Sequence, residues 1–218
     1  SFALLVYSSC WIKCHHPAEF LAAMLNSQPL GFYSPSQLVQ DARRHGVEVR
    51  AVDVMCSDWD CTLEDLLHEP AVRLGLRMIT GLQFASAQRI VAARTQQVFD
   101  DAEDLARRAR LDLHEMKLLA AADALKSLSG HRRQQVWDAA GLRAAPELLR
   151  EAPVREDVLE LVEAAEGEEI VFDYASTGLT LRRHPMCLLR ERLTRHGFLS
   201  AYELDAIENG EQVSCCGI

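Results

Sequence analysis

Leu76-Arg77-Met78-Ile79-Thr80-Gly81-Leu82-Gln83-Phe84-Ala85-Ser86-Ala87-Gln88-Arg89-Ile90 reads as helix, tight turn, helix. Ile79 and Leu82 bracket the turn with apolar side chains, and Gly81 supplies the backbone freedom that so short a reversal needs. A glycine there also lets the backbone approach another molecule with no Cβ in the way. The amides that open a helix have no partner in the preceding turn and carry the positive end of the helix dipole. A helix entered from such a turn therefore offers a seat to a phosphate. Arg77 before the turn and Arg89 after it add charge.

A second arrangement of this kind follows. Leu113 to Leu125 is expected to be a helix, Lys126-Ser127-Leu128-Ser129-Gly130 a turn, and His131-Arg132-Arg133-Gln134-Gln135-Val136-Trp137 the next helix. A linking helix over 101–110 joins the two. Each unit resembles a helix-hairpin-helix motif, which reads the DNA backbone rather than the bases. The first departs from the usual pattern in one place, carrying Gln83 where a second glycine is common. The residues expected at phosphates are Arg77, Gly81, Leu82, Gln83, Phe84 and Arg89 in the first unit, and Ser129, Gly130, His131, Arg132 and Arg133 in the second. A glycine turn between two helices is also an ordinary structural device, so the tandem arrangement with flanking arginines carries the binding reading.

Working outward toward the start, residues 2–25 carry helical periodicity, with Pro17 opening a second helix at its first turn. Asn26 to Pro35 is a loop by its Pro, Gly and Asn content. Ser34 then caps a helix that begins at Pro35 and stops at Arg43-Arg44-His45-Gly46, cations in the last turn and glycine just past it. Val47 to Val52 alternates and predicts a strand, followed by an acidic loop from Asp53 to Glu69. Pro70 is expected to start the next helix, with further breaks at 98–101, 111–112 and 129–130. Toward the end, 144–169 reads as an acidic linker with one amphipathic stretch, Val158 to Ala165. A short strand or helix start is expected at 168–175, a helix from His184-Pro185 to Gly197, and one more over 201–207. The fold class is thus mainly α, with a short strand.

The chain has 218 residues, enough for one large domain or two small ones. Its balance of 23 basic against 32 acidic residues, net −9, argues as a whole against nucleic acid. The distribution does not. Residues 71–99 hold Arg73, Arg77, Arg89 and Arg94 and no acid, and 176–200 hold Arg182, Arg183, Arg190, Arg192 and Arg195 against Glu191. Phosphate contact is decided by such local patches. The seven cysteines are odd in number and lack the paired short spacing of a zinc site, so neither a disulfide framework nor a metal is expected. The longest apolar stretch, up to Ile12, is well short of the ~20 residues of a membrane span, and no secretory leader is recognisable. A cytoplasmic protein with no membrane partner is expected, and both ends read as if cut from a longer chain.

The order of several motifs resembles the bacterial C-family DNA polymerases, the class of the DNA polymerase III alpha subunit, and within it the error-prone branch. The resemblance rests on Ser1 to Tyr7, His15-His16-Pro17-Ala18-Glu19-Phe20, Leu25-Asn26-Ser27-Gln28-Pro29-Leu30-Gly31-Phe32-Tyr33-Ser34-Pro35 and Asp41 to Val47. It continues through Arg73-Leu74-Gly75-Leu76, Ala121 to Leu125, Arg132 to Trp137, Thr177-Gly178-Leu179 and His184-Pro185. The resemblance implies that residues 1–69 are the C-terminal part of the fingers and 70–140 a tandem helix-hairpin-helix unit holding product duplex. It makes 141–210 an acidic linker and α-rich connector, and 211–218 the start of a truncated OB-fold. It places the carboxylates that hold two catalytic Mg²⁺ ions before Ser1, so no catalytic residue falls in this chain. It implies primer-template DNA as partner, and a sliding clamp and mutagenesis accessory proteins as further candidates, with Glu147-Leu148-Leu149 the one segment placed to reach a clamp. Asn26, Gln28, Tyr33, Arg43, Arg44 and His45 are candidates for template or nucleotide contact. The reading of a different class is a non-enzymatic helical adaptor that binds protein partners through its acidic connector and leucine stripes.

Overall fold

The computed structural model describes residues 2–64, 70–142 and 159–217. Helix α1 (Phe2–His15) is followed by α2 (Pro17–Asn26) and α3 (Pro35–Arg44). Helix α3 forms because its start is doubly closed. The Ser34 hydroxyl accepts from the Gln37 amide, and the Gln37 side chain accepts from the Ser34 amide. It ends where the sequence reading placed its end, with Gly46 at φ +88°.

Three short strands come next: β1 (Val49–Arg50), β2 (Thr62–Glu64) and β3 (Ala71–Arg73). They make one sheet in the order β1-β3-β2, with β1 parallel and β2 antiparallel to the central strand. The expected helix start at Pro70 is therefore a strand. Ala71 and Val72 are both buried because β3 is covered on both faces, so the alternation that betrays a half-exposed strand is missing. Proline at the first residue suits either element. The supposed acidic loop after Asp53 contains β2, whose Glu64 accepts from Arg73 (2.7 Å) and from Arg50.

A single 3-10 turn, Leu76–Met78, replaces the expected first helix of the first hairpin. The chain is pinned just before it. A Cβ on Gly75 would lie 2.3 Å from the Trp59 carbonyl oxygen and 2.4 Å from the Asp60 carbonyl carbon. Gly75→Ala should destabilise the chain by about 1–3 kcal/mol through backbone overpacking, read by urea unfolding.

Beyond it lie α4 (Phe84–Gln96), α5 (Ala102–Arg108), α6 (Leu113–Ala121), α7 (Lys126–Ser129) and α8 (Arg132–Gly141). Helix α6 stops four residues earlier than periodicity suggests, because Asp123 sits at φ +58°. Aspartate tolerates that conformation better than most residues. After 159–165 come α9 (Glu166–Thr177), α10 (Pro185–Arg195) and α11 (Ala201–Leu204). The 168–175 segment is thus helical. Leu199 and Cys215 form an isolated parallel bridge.

One contiguous core joins these parts: Leu25 and Val39 from α2 and α3, Val72 from the sheet, Ile90, Leu105 and Leu119 from the middle helices, and Ala139 from α8. The expected boundary at 69/70 falls inside the sheet, between β2 and the strand it pairs with.

Candidate nucleic-acid interface

In the first hairpin the chain turns at Gly81, φ +87°, with Ile79 and Leu82 buried on either side. The Leu82 amide donates to the Ile79 carbonyl (3.2 Å), closing the turn, and the Thr80 amide donates to Ser176 at the end of α9 (2.8 Å). Gln83 takes the cap position of α4 in extended backbone, and its side chain caps nothing. The amides of Gln83, Phe84 and Ala85 make no hydrogen bond among the described residues. Phe84 is half-exposed and meets Trp59 edge-on at 5.3 Å.

The flanking arginines face inward. Arg77 donates to the Asn26 carbonyl (2.6 Å) and to Asp60 (2.7 Å). Arg89 donates through Nε to the Ala109 carbonyl (2.9 Å) and through Nη2 to Glu115 (2.7 Å). Burial pushes the Glu115 carboxyl up; hydrogen bonds from Ser86, the Asp112 amide and Arg89 outweigh it and hold the group below its ordinary range. These contacts lock α4 against the end of α5 and against α6.

The second hairpin turns at Gly130, φ +73°. Ser129 ends α7, its amide bonded to Leu125 (2.9 Å). His131 caps α8: Nδ1 accepts from the Gln134 amide (3.3 Å) while Nε2 donates to the Leu161 carbonyl (2.7 Å), which fits the neutral ring protonated at Nε2. Gln135, which the sequence reading passed over, is fully buried and closes the turn. It accepts from the Leu125 amide and donates to Asp123 (2.6 Å) and the Gly130 carbonyl (2.7 Å).

Arg132 and Arg133 also turn toward the rest of the chain. Arg133 donates to Glu168 (2.8 Å) and to the Val162 carbonyl (3.2 Å). Arg132 is 3% exposed and lies in a cluster with Glu169 (2.8 Å), Asp173, Arg182 and Asp123. Arg182 reaches Asp123 at 3.2 Å, Glu169 at 3.0 Å and Asp173 at 3.4 Å, and Thr180 donates to Asp173 (2.6 Å). Burial raises the Glu169 carboxyl above its ordinary range, and the pull of Arg132 and Arg182 only partly offsets it. The cluster ties the start of α8 to α9 and to the loop before α10.

The candidates near the start divide into two groups. Asn26 is a brace, its side chain donating to the Cys61 carbonyl (2.9 Å) and accepting from the Cys61 amide (2.7 Å). Gln28 ties its own loop, accepting from Leu30 (3.0 Å) and donating to the Tyr33 carbonyl (3.2 Å). The Tyr33 ring is exposed. His45 contacts the Asp41 carbonyl through Nδ1 (2.8 Å). A hydrogen bond from Lys13 holds the Asp41 carboxyl low. Arg43 and Arg44 are exposed and have no carboxylate within ion-pair distance among the described residues. They open onto a cleft of about 300 Å³ whose other lining is Gln40 of α3 and Tyr174, Thr180, Arg182 and His184. No short-range signal could have joined α3 to residues 174–184. Glu147-Leu148-Leu149 lies outside the described residues.

Residues 46–135 match a family model described as a helix-hairpin-helix motif. The whole chain is similar to proteins named error-prone DNA polymerase. That of Methylococcus capsulatus is 50% identical over 237 residues, covering 100% of this chain and 23% of its own length. That of Azoarcus sp. is 52% identical over 224 residues, covering 100% and 21%. That of Aromatoleum aromaticum is 54% identical over 209 residues, covering 94% and 20%. The chain thus spans about a fifth of the length of the curated relatives it matches.

Proposed function

We propose that this chain is the part of an error-prone DNA polymerase that holds primer-template duplex by its phosphate backbone, in replication past damage and in the repair and mutagenesis that follow. The observation that carries the reading is similarity to error-prone polymerases along the whole chain at about half identity. The helix-hairpin-helix match over 46–135 and the free amides after Gly81 support it. The contacts assigned to DNA are the amides of Gly81, Gln83 and Phe84, that of Leu82 being spent on Ile79, the amides of Arg132 and Arg133 at the start of α8, and the side chains of Arg43 and Arg44. Arg77, Arg89, Arg132 and Arg133 support them from behind, because their guanidiniums are engaged within the chain.

The parent enzyme would join a deoxynucleotide to a primer end with two Mg²⁺ ions. Among the described residues no group of three His, Cys, Asp or Glu side chains converges to hold a metal. It is the resemblance that places the carboxylates for these ions before Ser1, and no chemical step is assigned here. A sliding clamp and mutagenesis accessory proteins remain the proposed further partners. No helix among the described residues is long and apolar enough to cross a membrane.

Fluorescence anisotropy with a primer-template duplex at two salt concentrations tests the reading. Binding without sequence preference is expected, weakening with salt by about 0.9 log unit per log unit for each phosphate neutralised. Salt-independent or absent binding would favour a helical adaptor. The purified chain should incorporate no nucleotide above a heat-inactivated control, with or without Mg²⁺.

Gly81→Val should weaken duplex binding, since a β-branched side chain at φ +87° is strained, and its Cβ, 3.5 Å from Leu118 of α6, would push the turn that presents the amides out of shape. Arg89→Ala should instead lower stability, with the salt slope unchanged. A Gly81→Val protein that keeps its helical signal and its affinity would remove this turn from the interface.

A further inference from the structure

Helix α1 is apolar on all sides and buries none of its residues. Phe2, Leu4, Leu5, Val6, Tyr7, Trp11 and Ile12 are all exposed large apolar side chains on 14 residues, and Lys13 is its one fully charged group. A surface helix of a globular protein carries an apolar stripe and a polar face; one apolar all round belongs inside a large protein or a membrane. At 1.5 Å per residue α1 is about 21 Å long, short of a hydrocarbon core of roughly 30 Å. Its tie to the rest of the chain is slight, resting on packing at the start of α2 and a Lys13–Asp41 ion pair of 2.7 Å.

The same observation says where a cover comes from. The polymerases of Methylococcus capsulatus and Azoarcus sp. match across the entire chain, α1 included, yet this chain accounts for only about a fifth of each. A polypeptide of that kind carries ample further sequence on the same chain. Covering in cis also needs no association step, which for a separate partner costs several kcal/mol. We infer that α1 is a central helix of a larger folded body, enclosed on all sides by apolar surface from the rest of the same polypeptide. This rests on the reading that the segment is part of a longer polymerase.

Cys10 and Cys14, one turn apart on α1, are exposed free thiols and serve as native reporters. The experiment is alkylation with N-ethylmaleimide, followed peptide by peptide by mass spectrometry. It is run on the 218-residue chain and on a full-length error-prone polymerase containing it, each native and in urea. Both thiols are expected to react freely in the short chain and at least a hundredfold more slowly in the native long one, with the rate restored in urea. Equal rates in the two native proteins would overturn the inference. So would protection of the long polypeptide that fades on dilution, which points to a second copy as the cover. Primer extension by the same long preparation reports separately on the polymerase reading. A preparation that extends primer while Cys10 stays reactive sinks the enclosure of α1 and leaves the function standing; protected thiols without extension do the reverse.

Discussion

Arg132→Met is expected to cost about 3–5 kcal/mol of unfolding free energy, because removing one partner of a buried ion cluster leaves the others uncompensated. Arg132 is 3% exposed and bonded to Glu169 and Asp173, so its loss leaves the buried Glu169 and the partly buried Asp173 short of one cation. Arg182 still touches both, which puts the effect toward the lower end of that range. The second arm of the test is Arg132→Met combined with Glu169→Gln. Removing the stranded charge should recover part of the loss, and an additive outcome would show that the two side chains do not act as a pair.

The pH dependence supplies an independent check. Burial raises the Glu169 carboxyl in the folded chain. The native state therefore holds this proton where the unfolded state has lost it, so stability falls as pH rises from the ordinary carboxylate range through the raised value. Glu169→Gln should flatten that part of the profile, measured by urea unfolding across the acid to neutral range. The consequence for the interface is positional. Loosening this cluster frees the start of α8 from α9, and with it the second hairpin turn.

Much of this arrangement was legible in the sequence where the cause is local. The α3 boundaries follow from Ser34, Pro35 and Gly46, and both hairpin reversals follow from single glycines at positive φ. Strand β3 was illegible because a strand buried on both faces has no alternation, and Val72 owes its burial to partners 23 residues earlier and 9 residues earlier. The early stop of α6 turns on Asp123, whose left-handed backbone is held by Gln135 and Arg182, contacts that exist only once the chain has closed. The arginines teach the same lesson about the site. Their clustering was visible, but their direction was not: Arg89 finds Glu115 and Arg132 finds Asp173 far along the chain. A basic block without local acid is thus a weak guide to free charge when the acid arrives from elsewhere in the fold.

Arg43 and Arg44 escape that fate, and their joint replacement by alanine should produce the largest loss of DNA or nucleotide binding of any change in the chain. Both are exposed at the end of α3, with no carboxylate in ion-pair range among the described residues, and both line the cleft completed by Tyr174, Arg182 and His184. A charge-assisted hydrogen bond to phosphate contributes about 1.5 kcal/mol or more. Two of them amount to roughly 3 kcal/mol, a loss on the order of a hundredfold in affinity. Each removed charge should also lower the salt slope by about one. Stability should fall only by the dipole contribution of cations in the last turn of α3, a few tenths of a kcal/mol to about 1 kcal/mol each, since neither side chain has an ion-pair partner among the described residues. The ordinary alternative, that the two arginines serve only to balance the α3 dipole, predicts the same small loss of stability but an unchanged affinity and slope. Anisotropy titrations with primer-template at two salt concentrations, run beside urea unfolding of the same double variant, separate the two, and unchanged binding would return Arg43 and Arg44 to that structural role.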